Sequence, residues 1–95
     1  MKVIVDSNII IKNVFEPPVE LYLKDQCATL KDVLKAIDQR CAVIQLLKDG
    51  ELGQDVRNIF LNGTDYFSLP ERLGTIMNED DKVEIEIYME PLGGG

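Results

Sequence analysis

Ninety-five residues with 10 basic and 17 acidic side chains carry a net charge of −7. That balance argues against nucleic acid, where phosphate neutralisation by Lys and Arg supplies most of the affinity, and against anionic membrane surfaces. A chain that is 45% hydrophobic and 28% charged reads as one soluble domain with a single core, and its lack of any histidine removes the commonest general base and the commonest metal ligand.

No run approaches the roughly 20 apolar residues that span a bilayer. The segment Met1 to Asp6 lacks the apolar stretch and cleavage site of a signal peptide, so a cytoplasmic protein is expected. Two cysteines, Cys27 and Cys41, are too few for a disulfide framework.

Met1 to Val5 reads as a short strand that Asp6-Ser7-Asn8 interrupts. Ile9-Ile10-Ile11 and Val14-Phe15 follow without a clean period, and they either extend that strand or form an irregular connection. Pro17-Pro18 marks a turn or a sheet edge. From Val19 to Lys24 the pattern has period 2, which places Val19, Leu21 and Leu23 on one face of a second strand.

Thr29 opens a helix, with Asp32 three residues on as the partner in a capping box. Leu30, Val33, Leu34, Ile37 and Cys41 recur at helical spacing and form one buried stripe, so Cys41 is expected to be an inert, buried thiol.

Ala42 to Leu47 is apolar and fits either a helical piece or a strand. Asp49-Gly50 and Asn62-Gly63 are hairpin turn signals on either side of a strand from Val56 to Leu61. Leu73 and Ile76 are expected to pack a short helical or turn segment onto the core, before the polar turn Asn78-Glu79-Asp80-Asp81. In the last strand Val83, Ile85, Ile87 and Met89 alternate with Glu84, Glu86, Tyr88 and Glu90. One face is apolar and the other acidic and wet. Pro91 ends this strand, and Leu92-Gly93-Gly94-Gly95 follow. Strands with one helix laid across them indicate an α+β fold.

A glycine run behind a core strand is either a plain disordered end or a threadable carboxylate. With no Cβ, such a segment can enter a channel too narrow for side chains. Three further features resemble one family. Leu61-Asn62-Gly63 follows a strand, Glu79-Asp80-Asp81-Lys82-Val83-Glu84-Ile85 looks like a Gly-Asp-(Glu/Lys)-Val-x-(Ile/Leu) turn and strand, and Pro91-Leu92-Gly93-Gly94-Gly95 looks like a Pro-x-x-Gly-Gly end. Leu46 to Leu52 resembles the hairpin before the Asn-Gly strand.

Together they resemble the sulfur-carrier family of β-grasp, ubiquitin-like proteins, which includes the molybdopterin synthase small subunit and the thiamin-biosynthesis sulfur carrier. The match is good from about residue 44 onward and only an outline before it. It departs from the pattern at Glu79-Asp80, at Asp6 to Pro18 and in ending on three glycines.

The resemblance implies a β-grasp domain over residues 1–90, with a mixed sheet of four to five strands and one main helix packed across it, followed by a glycine tail over 91–95. It further implies that the chain is no enzyme and has no catalytic residues. A ubiquitin-activating-like adenylyltransferase would load AMP onto Gly95, with Gly93 and Gly94 threading the tail and Leu92 anchoring it. A sulfur donor of the desulfurase or rhodanese type would then convert the adenylate to a thiocarboxylate.

The acceptor would be a synthase such as the molybdopterin synthase large subunit. ATP and magnesium would come from the adenylating partner, and the chain itself would hold no stable cofactor or metal. The alternatives are a ubiquitin-like modifier that joins Gly95 to lysines, or a plain interaction module. Tyr22, Tyr66, Phe67 and Tyr88 are candidates for the docking surface, each equally readable as a partly buried sheet residue. The acidic face of the last strand is a candidate for steering a partner.

Overall fold

A computed structural model describes residues 1–41 and 44–88. Lys2–Ser7 (β1) and Val19–Tyr22 (β2) form an antiparallel pair with Val3 opposite Leu21 and Val5 opposite Val19. Leu30–Arg40 (α1) follows. A small hairpin of Leu47–Lys48 (β3) and Glu51–Leu52 (β4) stands apart from the main sheet. Val56–Leu61 (β5), Thr64–Asp65 (β6) and Lys82–Ile87 (β7) complete a five-stranded sheet of order β2-β1-β7-β5-β6. β7 runs parallel to β1 and antiparallel to β5, so the sheet is mixed and the last strand lies at its centre. This is the ubiquitin-like β-grasp arrangement that the resemblance implies.

The helix forms for the reasons its sequence gives. The Thr29 hydroxyl accepts from the Asp32 backbone N–H, and the Asp32 carboxylate accepts from the Thr29 N–H at 2.8 Å, closing the capping box. Leu30, Val33, Leu34 and Ile37 are fully buried in one core with Val3, Val5, Ile59, Val83 and Ile85 from the sheet. Each such side chain contributes roughly 1.5–3 kcal/mol by leaving water.

Both hairpin turns use left-handed residues: Asp49 and Gly50 at φ 52° and 81°, Asn62 and Gly63 at φ 50° and 86°. These are the type I′ geometries that match strand twist and favour Asp-Gly and Asn-Gly. The Asn62 side chain also donates to Asp81 at 2.9 Å and accepts from the Lys82 N–H at 2.9 Å, tying one turn to the other.

Three expectations change. Asp6-Ser7 does not interrupt β1, because both residues pair with Glu84 and Ile85 of β7, and the Ser7 hydroxyl donates to the Ile85 carbonyl at 2.7 Å. Ile76 is 58% exposed and meets Thr29 only through a backbone bridge, whereas Leu73 does pack on the core. Glu84 and Glu86 are half-buried, so the acidic face of β7 is less wet than its alternation implies.

The undecided run after β1 is an irregular connection, closed by a tight turn between Ile11 and Phe15 with Asn13 at φ 66°. Cys41 is buried at the helix end, and Cys27 is exposed. The readings of Ala42 and Val43 and of Met89 to Gly95 lie outside the described residues.

Candidate docking end and tail root

The expected site residues Leu92, Gly93, Gly94 and Gly95 also lie outside the described residues, so the site is built from what leads up to them. β7 brings the chain through the middle of the sheet to Tyr88, whose N–H donates to the Asp55 carbonyl at 3.0 Å. Because β1 is parallel to β7, the connection after β1 sits at this same end of the sheet. That connection exposes Ile10 (72%) and Val14 (46%). Isolated exposed apolar residues are ordinary; here they share one end of the sheet with further ones.

On the other side of β7 a cleft of about 620 Å³ is lined by Leu52, Arg57, Tyr66, Phe67, Arg72 and Tyr88, among others. The two adjacent rings meet edge-to-face, with centroids 5.3 Å apart. The Arg72 guanidinium lies 5.8 Å from the Tyr66 ring and 5.5 Å from the Phe67 ring. Contacts of this kind are worth about 0.5–1 kcal/mol at an exposed site.

Arg72 takes a left-handed backbone (φ 52°), a conformation that costs a residue with a Cβ roughly 1–2 kcal/mol. Glu51 and Glu71 also line the cleft, and among the described residues neither Arg57 nor Arg72 forms an ion pair. Burial pushes the Tyr66 hydroxyl above its ordinary 10.0, with Arg72 opposing and Glu51 reinforcing.

The four aromatic candidates therefore separate. Tyr66, Phe67 and Tyr88 converge on one cleft beside the tail root, with Tyr66 buried and the other two 59% exposed. Tyr22 is 70% exposed but pairs with Lys2 at the opposite end of the sheet. Its hydroxyl donates to Glu20 at 2.7 Å, and that bond pushes its pKa upward. Sequence reasoning missed Ile10, Val14 and Arg72. The first two read as generic apolar residues, and no local signal marks Arg72 as left-handed.

Among the described residues no group of three or more potential ligands could hold a metal ion, and no helix is long and apolar enough to cross a membrane.

No family model and no curated protein matches the chain. Solved structures do. The HVO 2177 protein of Haloferax volcanii is similar at TM-score 0.72 and 24% identity, over all of this chain and 87% of its own. SAMP1 of the same organism is similar at TM-score 0.66 and 21% identity, with both chains fully covered. The small archaeal modifier protein 1 of Methanosarcina acetivorans is similar at TM-score 0.63 and 25% identity, over 99% of this chain and 96% of its own. The shared property is the fold. It is a ubiquitin-like β-grasp.

Proposed function

We propose that this protein presents Gly95 for activation by an adenylating partner. The supporting observation is the position of Tyr88: it directly follows the end of the central strand, between the exposed Ile10 and Val14 and the aromatic cleft. Seven residues lie beyond it, and fully extended they reach at most about 24 Å. An active site that takes Gly95 must therefore come within that distance of Tyr88, and the enzyme around it must cover this end of the sheet. The exposed apolar and aromatic side chains suit such a cover.

The chemistry asks little of the chain. A carboxylate oxygen of Gly95 attacks the α-phosphorus of ATP, pyrophosphate leaves, and the acyl adenylate gains a good leaving group. In the sulfur-carrier reading, a persulfide sulfur of the donor displaces AMP, and a second thiol then releases the thiocarboxylate as a disulfide forms. In the modifier reading, a lysine amine displaces AMP and loses a proton to form an isopeptide bond. Two of the fold neighbours are small archaeal modifier proteins by name, which supports the modifier reading at least as strongly. The residues resembling sulfur carriers support the other, with molybdopterin synthesis as the proposed pathway and thiamin synthesis as its alternative.

Intact-mass measurement on protein from its native host separates the two. Exchange of one oxygen for sulfur at Gly95 marks a carrier, and conjugates that vanish on deleting Gly94-Gly95 mark a modifier. Gly94→Ala slows adenylation at least about tenfold through obstructed threading and leaves the melting temperature unchanged. Equal adenylation of the variant would overturn the threading role.

A further inference from the structure

We infer that Asn8 is a positioning residue that clamps the root of the tail. β1 ends at Ser7, opposite Ile85, two residues short of the end of β7. There the Asn8 carboxamide takes the place of a strand: its Nδ2 donates to the Ile87 carbonyl at 2.9 Å, and its Oδ1 accepts from the Ile87 N–H at 2.9 Å. A single amide thus engages both backbone groups of the last residue of the last strand.

Ser7 completes the grip one pair earlier, with its hydroxyl on the Ile85 carbonyl, and it also accepts from the Ile9 N–H at 3.4 Å. On the opposite side the Asp55 carbonyl holds the Tyr88 N–H.

Ile87 is 4% exposed, so its backbone groups need a partner where β1 has ended, and the otherwise exposed Asn8 supplies both. What the clamp decides is where sheet ends and tether begins. With Ile87 held, Gly95 lies at most seven residues, about 24 Å of chain, from a fixed point at Tyr88. If the last pair opens, the fixed point retreats toward Ile85, the reach grows by two to three residues, and the effective concentration of the terminus at a docked site falls. The functional consequence rests on the proposed delivery of Gly95; the clamp itself does not.

Amide hydrogen exchange on the full chain tests the clamp. In Asn8→Ala the Ile87 amide loses protection about tenfold or more, while the Val83 and Ile85 amides keep theirs. Asn8→Asp retains an acceptor for the Ile87 N–H but has no donor for its carbonyl, and gives an intermediate loss. Spin labels at Lys35→Cys and Gly93→Cys, in a Cys27→Ser background, give a second readout: their distance distribution broadens in Asn8→Ala under conditions where the domain stays fully folded.

Unaltered Ile87 protection would overturn the inference, as would an equal loss at Val83, Ile85 and Ile87, which would make Asn8 a general stabiliser. A chain with a protected Ile87 that no adenylating enzyme accepts would overturn the proposed function and leave the clamp standing.

Discussion

Cys41 shows how one side chain carries both a packing and a pH consequence. It closes the apolar stripe of α1 and is 1% exposed. Loss of solvation pushes the thiol above its ordinary 9.0, with Arg40 opposing and Asp38 reinforcing. Below pH 9 both folded and unfolded chains keep the proton, and the full contribution to stability is present. As pH rises past 9 the unfolded chain ionises first, so stability falls until the folded thiol also titrates.

The slope contributed is at most about 1.4 kcal/mol per pH unit. Comparing urea midpoints of wild type and Cys41→Ala across pH 8 to 10.5 isolates this share from that of Tyr66. The two proteins should converge in stability as pH rises, and parallel curves would refute the assignment. Iodoacetamide should modify Cys27 in the native protein and reach Cys41 only on unfolding.

At the scale of elements, the glycines separate positions that need the residue from positions that merely have it. Gly53 is buried between β4 and β5, and its N–H donates to the Leu46 carbonyl at 2.7 Å. A Cβ there would overlap the Gln45 carbonyl, which is backbone and cannot step aside. Gly63 has open space around it, but its φ of 86° strains any other residue, and Gly74 has open space without that φ.

The cost of Ala should therefore rank Gly53 above about 2 kcal/mol, Gly63 near 1 kcal/mol and Gly74 close to zero or slightly stabilising. Urea unfolding with a constant m-value checks the order, and a tolerated Gly53→Ala would refute the close approach.

The same scale shows what the sequence made legible. The capping box, the two I′ turns and the apolar alternation of Val83, Ile85 and Ile87 depend on neighbours within four residues, and these appear as read. Asp6-Ser7 as strand, the grip of Asn8 on Ile87 and the cleft at Arg72 depend on partners far along the chain or on a backbone angle with no sequence signal. Polar residues inside a strand look like an interruption until the parallel partner that pairs with their backbone is known.

For the molecule as a whole, the open question is why the centre of a sheet should carry like charges side by side. Asp6 of β1 lies directly opposite Glu84 of β7, and with Glu86 and Phe60 they line a shallow hollow on the sheet. Like charges facing each other across a ladder cost a few tenths of a kcal/mol or more. The fold keeps them on a chain already at −7.

In the proposed reading that charge would steer a basic partner surface, since concentrated charge raises association rates and is screened over about 10 Å at 0.1 M salt. Glu84→Gln relieves the repulsion from Asp6 and loses a 3.8 Å surface contact with Lys82, so it should change stability by less than about 0.5 kcal/mol. Its association with the adenylating partner should slow several-fold at low salt, and the difference should vanish near 0.5 M. Stopped-flow association rates against ionic strength measure this, and a rate indifferent to both the substitution and the salt would assign the acidic stripe to solubility alone.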